Sequence, residues 1–258
     1  MNQQKIKINS AFSRSAETYD VNAAIQNSLA EFLDAKLGYK TPTDILELGC
    51  GTGNFTARLI KKFPGSHITA VDFSEAMIRR SIERTSNNTH IKHLCTDAEV
   101  YISKTIERFD LITSNATLQW FNTIEKAIQD AHNALKETGT LAFSVFGQET
   151  MGELQQALSH AYGRSIDLPT RHFPSMDAIQ NIVSRLFSSH DIQEKRLSKK
   201  YGSTMDILHN MKRTGTSGGN RLPSMLTRGK IQLMDNWFKD TYGSCRISYQ
   251  AYIVTAEK

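Results

Sequence analysis

A short apolar run that leads directly into alternating glycines constrains the chain more than any other feature. The segment from Ile45 to Gly53 reads Ile-Leu-Glu-Leu-Gly-Cys-Gly-Thr-Gly, and a helix is predicted to follow it from Asn54. Such a pattern is typical of a buried strand that turns tightly into a helix, where glycines let the backbone approach a bound ligand. The segment therefore predicts a ligand site at the end of a strand.

The spacing of the glycines disfavours two common nucleotide-binding loops. A dinucleotide fingerprint Gly-x-Gly-x-x-Gly would need glycine at position 54, where this chain has Asn54. A P-loop would need Gly-Lys-Ser or Gly-Lys-Thr, which the segment lacks. The ligand is therefore expected to be neither a dinucleotide nor a nucleoside triphosphate.

Strand and helix patterns alternate along most of the chain. The predicted strands are 44–49, 67–72, 91–95, 109–114, 140–146, 191–198 and 248–255, and the predicted helices are 22–37, 54–62, 74–84, 124–135 and 177–187, with further helices within 203–241. Alternation of this kind places parallel strands side by side and helices on both faces of the sheet. We therefore expect an α/β fold with a doubly wound, mostly parallel sheet.

Composition and charge narrow the class of protein. The chain has 258 residues, of which 39% are hydrophobic and 22% charged, as in an ordinary globular protein, and its three cysteines lie too far apart for a disulfide framework. It contains no recognisable signal sequence and no apolar run able to cross a bilayer, so we expect a cytoplasmic protein with no membrane partner. A net charge of +5 is low for a nucleic-acid-binding protein, and no nucleic-acid partner is expected.

The pattern Glu-x-Gly-x-Gly-x-Gly resembles motif I of the class I S-adenosylmethionine-dependent methyltransferases. It is formed here by Glu47, Gly49, Gly51 and Gly53, and the resemblance covers about residues 40–150. It implies a Rossmann-like, seven-stranded sheet, with S-adenosyl-L-methionine as cofactor and S-adenosyl-L-homocysteine as product. The four motif residues are then expected to contact the cofactor.

Acidic residues follow the next two strands, where such a site needs them. Asp72 ends the second strand, 21 residues beyond Gly51, and a carboxylate there can accept hydrogen bonds from both ribose hydroxyls. Asp97 follows the third strand and is placed to accept a hydrogen bond from the adenine amino group. The other predicted cofactor contacts are Phe73, Met77, Ala98 and Asn115.

Several segments together narrow the resemblance to one family. They are Ala11-Phe-Ser-Arg-Ser-Ala-Glu-Thr-Tyr-Asp20, the glycine segment, Asn115-Ala-Thr-Leu-Gln-Trp-Phe121 and Met211-Lys-Arg-Thr-Gly215. Over nearly the whole chain they are similar to the malonyl-[acyl-carrier protein] O-methyltransferases of biotin synthesis. The resemblance implies methylation of the free carboxyl group of a malonyl thioester, and as partner an acyl-carrier protein that carries malonyl-phosphopantetheine. The ester is then elongated toward pimeloyl.

The same resemblance implies an organisation for the chain. We expect a single methyltransferase domain over 1–258, with amino-terminal lid helices in 1–38, a cofactor-binding core in 40–150 and a basic helical insertion at about 199–245, before the last strand on the substrate side. Tyr19 on the lid is expected to close over the methionine end of the cofactor. Gln119 and Trp120 are expected to shape the acceptor side, so these three residues are the candidates for catalytic positioning.

Methyl transfer to a carboxylate is expected to require neither a general base nor a metal ion. A carboxylate with a pKa of about 4 is already ionised at neutral pH, so no general base is expected and catalysis depends on alignment and exclusion of water. No metal is expected either, because His90, His93 and Cys95 have no fourth ligand. The malonyl carboxylate needs an anchor, for which the candidates are Arg14, Lys212 and Arg213.

Basic residues are concentrated near the carboxyl end. From Lys195 to Lys230 the sequence has nine basic residues and only Asp206 as an acid, whereas the rest of the chain carries a net charge of −3. The acyl-carrier protein is acidic by family inference, so this segment is a candidate docking surface. The residues expected to contact the carrier are Lys199, Lys200 and Arg221.

Three other functions remain open on the sequence alone. A methyltransferase of a small free polycarboxylate such as trans-aconitate would share the Leu-Gln-Trp segment but would not need the basic insertion. An RNA methyltransferase could use the basic segment on phosphates, although no Asn-Pro-Pro-Tyr type of motif follows the fourth strand. A noncatalytic cofactor-sensing protein would be expected to lose the glycines or the ribose acid, and the chain retains both.

Overall fold

The structure of the protein is a computed structural model, and it describes residues 2–38, 41–86, 88–218 and 226–258. The strands are β1 (Asp44–Leu48), β2 (His67–Asp72), β3 (Ile91–Cys95), β4 (Phe109–Asn115), β5 (Leu135–Phe146), β6 (Ser189–Lys200) and β7 (Arg246–Glu257). They form one seven-stranded sheet in the order β3-β2-β1-β4-β5-β7-β6. Strands β1 to β5 pair in parallel, and β7 runs antiparallel to both of its neighbours.

Helices cover both faces of this sheet. They are α1 (Gln3–Ser15), α2 (Tyr19–Asn22), α3 (Ala24–Lys36), α4 (Asn54–Lys62), α5 (Glu75–Thr85), α6 (Ala98–Lys104), α7 (Ile124–Ala134), α8 (Gly152–Tyr162), α9 (Met176–Leu186), α10 (Thr204–Arg213) and α11 (Arg228–Tyr242), with short 3-10 helices at Leu118–Trp120, Pro169–His172 and Thr216–Gly218. The apolar faces of α3, α4, α8, α10 and α11 pack in one buried cluster. Those of α6, α7 and α9 pack in a second cluster.

Alternation along the strands explains why two clusters form. In β1, Ile45 contributes to the first cluster and its neighbour Leu46 to the second, and Ile253 and Val254 of β7 divide in the same way. Successive side chains of a strand point to opposite faces, so a continuous apolar run must be covered by helices on both sides. The predicted α/β class and the doubly wound, mostly parallel sheet are confirmed.

Several elements differ from the sequence-based predictions, among them the short helix α6, which was not expected. Strand β5 begins at Leu135 rather than Thr140, and its pairing with β4 shifts register between Phe109 and Leu111. Helix α8 was not expected, although Leu154 and Leu158 lie on one helical face of its sequence and both are buried. Within the described residues, no helix is both long and apolar enough to span a membrane.

The amino-terminal helices pack against the segment inserted before β7. Helix α1 contacts the 3-10 turn that follows α10, and the Thr18 hydroxyl donates a hydrogen bond of 3.0 Å to the Arg213 carbonyl oxygen. Gly215 has a φ of +69°, and a Cβ atom there would lie 2.9 Å from Phe12 Cα and 2.9 Å from the Ser15 hydroxyl oxygen. The junction therefore needs glycine both for its backbone conformation and for close packing.

Alanine substitution at two glycines with the same φ separates the cost of the left-handed backbone conformation from the cost of overpacking. Gly243 also has a φ of +69°, but a Cβ atom there would meet nothing within 4 Å. We expect Gly243→Ala to lower the free energy of unfolding by about 1 kcal/mol through left-handed strain, and Gly215→Ala to lower it by at least about 1 kcal/mol more through overpacking. Urea unfolding of both variants measures the difference, and equal losses would contradict the close packing at Gly215.

Candidate active site

A cavity lies at the carboxyl ends of β1 to β4, and we call it the first cavity. The loops after these four parallel strands meet at one edge of the sheet, which is where ligands bind in open α/β sheets. Residues from α1 to α3 form its remaining wall. Ten of the predicted cofactor contacts line it: Tyr19, Glu47, Gly49, Gly51, Asp72, Phe73, Met77, Asp97, Ala98 and Asn115.

The glycine segment forms the floor of the first cavity because its backbone is fastened to the next strand. The amides of Gly49 and Cys50 donate to the Val71 carbonyl oxygen over 2.7 and 3.0 Å. Gly49 has a φ of +77°, and a Cβ atom there would lie 2.3 Å from the Thr117 side chain. No residue with a side chain fits at this position without displacing the loop after β4.

Gly53, the eleventh predicted contact, is not among the residues that line the cavity. It caps α4 with a φ of +78°, and a Cβ atom there would lie 2.9 Å from the Ser81 Cα atom. Gly53 therefore permits close packing of α4 against α5. This packing supports the orientation of the glycine segment.

Asp72 connects the glycine segment to the following helix. Its carboxylate accepts hydrogen bonds from the Gly51 amide (3.0 Å) and the Ser74 amide (2.8 Å), and the residue is 7% exposed. Burial raises the pKa of Asp72 to about 6, although the backbone donors act in the opposite direction. The carboxylate is thus ionised at neutral pH and retains lone pairs that face the cavity.

Glu47 is the second buried acid of the first cavity. It is 1% exposed, and its carboxylate accepts a 2.6 Å hydrogen bond from the Thr56 hydroxyl. Burial raises the pKa of Glu47 to about 7, partly offset by Thr56 and reinforced by the Asp72 charge. The carboxylate of Asp72, with its lower pKa of about 6, is the more fully ionised of the two at neutral pH and makes this wall electrostatically suited to a cationic ligand.

Tyr19 begins α2 and faces the same cavity. Burial, followed by the nearby carboxylates of Asp72 and Asp20, holds the pKa of the Tyr19 phenol well above its ordinary value. The hydroxyl therefore stays protonated and can act as a hydrogen-bond donor but not as a base.

Asp97 lines the first cavity and is also the N-cap of α6. Its Oδ1 atom accepts a 3.0 Å hydrogen bond from the Glu99 amide, as expected for an acid at that position. The Lys5 ammonium group of α1 donates to both Asp97 oxygens, over 2.8 and 2.7 Å. The sequence did not indicate this lysine, because the contact joins residues 92 positions apart.

A second cavity adjoins the first, and Phe12, Tyr19, Gln26, Ala116 and Trp120 line both. The Phe12 ring contacts the other two aromatic rings of this set. Its centroid lies 6.3 Å from that of Tyr19 and 6.0 Å from that of Trp120. The aromatic side chains thus stand at the junction of the two cavities. Phe12 was not predicted as a site residue, although it belongs to the Ala11–Asp20 segment.

The second cavity combines apolar walls with neutral polar groups. Its further lining residues are Asn22, Ile25, Gln119, Phe146, Thr150, Met151, Thr170, Phe173, Asn210, Thr214, Thr216 and Tyr249. The Gln119 amide nitrogen donates to the Ala116 carbonyl oxygen over 2.6 Å, while its buried Oε1 atom has no protein partner among the described residues. This oxygen is available to a ligand that carries a hydrogen-bond donor.

Backbone strain is concentrated at this cavity. Within the part of the chain that the structure describes, Ala116 (φ +51°) and Met151 (φ +63°) are the non-glycine residues with positive φ, and both line the second cavity. Such conformations cost of the order of 1–3 kcal/mol each and persist where the surroundings fix them. At Ala116 the amide is held by the Ser144 carbonyl and hydroxyl oxygens, over 3.0 and 2.9 Å.

The predicted substrate-binding cations that belong to the described residues line neither cavity. Arg14 is exposed on α1 and its guanidinium donates to Ser10, while Lys212 and Arg213 are exposed on α10. Lys199 lies over the Tyr201 ring, 5.1 Å from its centroid, and Lys200 is exposed. Arg221 lies outside the described residues.

No metal site is predicted at His90, His93 and Cys95, and the two histidines contact other side chains. In the structure the His67 and His90 rings pack edge to face, and His93 pairs with the Ser81 hydroxyl over 3.0 Å. Among the described residues, no three His, Cys, Asp or Glu side chains come together as ligands for a metal ion.

Comparison with known proteins identifies the family. Residues 46–141 match the methyltransferase domain family. The chain is 31% identical to malonyl-[acyl-carrier protein] O-methyltransferase 1 of Ilyobacter polytropus over 94% of this chain and 90% of that protein. It is 33% identical to the malonyl-[acyl-carrier protein] O-methyltransferase of Priestia megaterium over 100% of this chain and 98% of that protein. The chain belongs to the malonyl-[acyl-carrier protein] O-methyltransferase family and is an S-adenosylmethionine-dependent O-methyltransferase.

A solved structure supports the fold independently of these relatives. The YcgJ protein of Bacillus subtilis superposes with a TM-score of 0.62 over 90% of this chain and 98% of that chain, at 14% identity. At a sequence identity this low, the superposition shows a shared architecture only. The confirmed points are thus the Rossmann-like fold, the enzyme class and the family.

The first cavity has the donors and acceptors that S-adenosyl-L-methionine requires. Gly51 has a φ of +54° and open space where a Cβ atom would stand, so its backbone can lie directly against a ligand. The Asp72 carboxylate can accept from ribose hydroxyls, and Phe73 and Met77 offer apolar surface to a base. The residues therefore fit this cofactor.

We expect cofactor binding to depend on pH through Asp72. Ribose hydroxyls donate to the ionised carboxylate, so the affinity for S-adenosyl-L-homocysteine should be full above the pKa of about 6 and fall by up to about tenfold per pH unit below it. Asp72→Asn should weaken binding at pH 8 by about tenfold or more and remove this step. Calorimetric titration from pH 5 to 8 measures both effects.

Glu47→Gln serves as the control for this titration, because the pKa of Glu47 is raised to about 7. The step near pH 6 should survive in Glu47→Gln and disappear in Asp72→Asn. A wild-type affinity that does not change between pH 5 and 8 would contradict the role of Asp72.

Proposed function

We propose that this member of the malonyl-[acyl-carrier protein] O-methyltransferase family methylates the free carboxylate of a malonyl thioester carried by acyl-carrier protein. The product is the malonyl methyl ester that primes pimeloyl synthesis for biotin. The observation that carries the proposal is the junction of the two cavities at Phe12, Tyr19 and Trp120. One cavity fits the cofactor, and the adjoining one is built from neutral polar and apolar groups that suit an acceptor.

The reaction needs no proton transfer. S-adenosyl-L-methionine supplies a methyl group on a positively charged sulfur, and an acceptor carboxylate oxygen forms the new bond to that carbon as the carbon–sulfur bond breaks and its electron pair stays on sulfur. A carboxylate with a pKa of about 4 is ionised before it enters the site. The chain therefore has to align the reactants and exclude water rather than provide a base.

The residues at the junction are suited to alignment. The Phe12, Tyr19 and Trp120 side chains narrow the passage, and the Trp120 ring is held on its other side by Phe173, with centroids 5.7 Å apart. The Tyr19 hydroxyl remains a donor at all physiological pH values, because its pKa is raised by burial. These contacts support positioning roles for Tyr19, Gln119 and Trp120.

The acceptor carboxylate is anchored by neutral donors in this proposal rather than by Arg14, Lys212 or Arg213. The described residues that line the second cavity include no lysine and no arginine, but they do include Asn22 and Asn210. The side-chain amides of Asn22 and Asn210 donate to the Thr18 and Asn22 carbonyl oxygens, over 2.7 and 3.1 Å, and each has a second N–H group. A neutral hydrogen bond leaves more electron density on the oxygen than a bidentate arginine would. An oxygen held in this way remains a better nucleophile.

The basic residues on β6 do not form one continuous face. Along β6, Lys195 lies over the Phe32 ring on one side of the sheet, whereas Arg196 on the other side pairs with Glu149 and Glu194. Lys199 and Lys200 are divided between the two sides in the same way, because successive residues of a strand alternate.

Exposed cations also lie close in the sequence to residues of the second cavity. Arg14 lies two positions beyond Phe12 and Arg213 directly precedes Thr214, and both of these neighbours line the cavity. Docking of an acidic carrier beside the acceptor cavity is therefore best supported for Arg14, Lys212 and Arg213, with Lys199 and Lys200 as further candidates on β6 and Arg221 as a candidate outside the described residues. We place the reaction in the cytoplasm, in keeping with the free thiols of Cys50, Cys95 and Cys245.

Charge reversal tests the docking surface. Arg14→Glu combined with Arg213→Glu should raise the KM for malonyl-carrier protein at least about tenfold, because a rim charge acts mainly on encounter and local attraction. The combined reversal of Lys199, Lys200 and Arg221 should have a smaller effect. Affinity for S-adenosyl-L-homocysteine should remain unchanged in both variants.

Lys61→Glu on α4 provides the matched control, since Lys61 is exposed and lines neither cavity. Lys61→Glu changes the net charge of the protein but leaves the proposed docking residues unchanged. An unchanged KM in the Arg14 and Arg213 reversal, or an equal rise in the Lys61 control, would overturn this docking surface.

The acceptor itself is tested by parallel assays with labelled S-adenosyl-L-methionine. Malonyl-carrier protein, malonyl-coenzyme A and trans-aconitate are offered separately, and we expect label on the malonyl thioesters, most rapidly on the carrier-bound form. Label on trans-aconitate alone would replace the proposed substrate by a small free polycarboxylate.

A further inference from the structure

A lysine of the amino-terminal helix is buried in the wall of the first cavity. Lys5 is 5% exposed, and its ammonium group lies 2.8 and 2.7 Å from the two Asp97 oxygens and 2.5 Å from Glu99 Oε2. The same group stands 5.5 Å from the centroid of the Phe121 ring. Buried lysines are rare unless they are paired, and this one is paired twice.

The cluster connects three parts of the chain. Asp97 caps α6, and the Glu99 carboxylate accepts hydrogen bonds from the Asn122 amide (3.1 Å), its side chain (2.8 Å) and the Thr123 amide (3.3 Å). Lys5 adds the contact from α1. The Asp97 carboxylate is thus fixed by the cap on one side and by the ammonium group on the other, so only part of its accepting capacity remains free.

That remaining capacity faces the cavity. Lys5, Asp97, Ala98 and Phe121 all line the first cavity, next to Phe73 and Met77. A base that packs on Phe73 or Met77 while its ribose meets Asp72 extends toward Asp97. An acceptor oxygen there is useful to an adenine amino group only if the carboxylate does not rotate, and rotation is what the two Lys5 hydrogen bonds prevent.

We propose that Lys5 is a positioning residue of the cofactor site, which sets the orientation of Asp97 so that the enzyme distinguishes adenine from bases without a 6-amino group. The proposal rests on the proposed use of S-adenosyl-L-methionine. Lys5 then contributes to base recognition from the amino-terminal helix, but it acts on the base only through Asp97.

Other contacts keep the amino-terminal segment in place when Lys5 is changed. The Asn9 side chain donates to the Phe73 carbonyl oxygen over 2.9 Å, the hydroxyls of Ser13 and Ser74 lie 2.8 Å apart, and the Thr52 hydroxyl donates to Asp20 over 2.6 Å. A Lys5 variant therefore loses the contact at Asp97 and Glu99 but retains three others. It should fold, and a melting curve verifies this.

The test measures affinity for two ligands that differ at one group. S-adenosyl-L-homocysteine and S-inosyl-L-homocysteine, in which an oxo group replaces the 6-amino group, are titrated into the wild type and Lys5→Met. We expect the variant to bind the adenosyl ligand about tenfold more weakly, as for one misaligned charge-assisted hydrogen bond, and the inosyl ligand within twofold of wild type. Lys5→Arg should restore most of the discrimination.

Lys7→Met is the matched control, because Lys7 is exposed on the same helix and lines neither cavity. A double-mutant cycle adds the second criterion. In an Asp97→Asn background, Lys5→Met should weaken binding of the adenosyl ligand by less than twofold, since the group on which Lys5 acts has already been changed.

Three results would overturn the inference. They are an unchanged preference for the adenosyl ligand in Lys5→Met, an equal loss for both ligands, and additive losses in the cycle with Asp97→Asn. An equal loss would mean that Lys5 only fastens the helix. Failure of the wild type to bind S-adenosyl-L-homocysteine is a different outcome, which removes the cofactor assignment and this inference with it.

Discussion

A single buried carboxylate holds the binding end of the sheet together. Asp72 accepts hydrogen bonds from the Gly51 amide and from the Ser74 amide, and so connects the loop after β1 to the first turn of α5. Burial of this charge is unfavourable by itself, which is why the pKa of Asp72 is raised to about 6. The same residue that organises the loops also lines the first cavity. A change at Asp72 is therefore expected to affect both the loops and the shape and charge of the cavity.

The second cavity is built differently, from segments that are far apart in the sequence. Phe12 and Tyr19 come from the amino-terminal helices, Trp120 from the loop after β4, Asn210 from α10 and Tyr249 from β7. The antiparallel pairing of β7 between β5 and β6 brings the carboxyl-terminal part of the chain back to this edge of the sheet. A cavity assembled in this way can change its acceptor by changes in α10 or β7 while the first cavity stays intact.

The sequence predicted the features that depend on local pattern. The bounds of β2, β3 and α4 agree with their predictions, since short apolar runs and glycine breaks determine them. The position of most residues that line the first cavity could be predicted because these residues follow parallel strands, whose carboxyl ends meet at one edge. The position of Lys5 could not, because nothing local to α1 indicates a carboxylate 92 positions away. The arrangement of the basic residues on β6 could not be predicted from a sum of charges for a related reason, since successive residues of this strand are divided between the two faces of the sheet.

The residues shared by the two cavities couple the shapes of those cavities. Phe12 and Tyr19 belong to one short stretch of chain and line both cavities, so a displacement of that stretch changes both walls at once. A substitution that moves either side chain is therefore expected to alter the two cavities together.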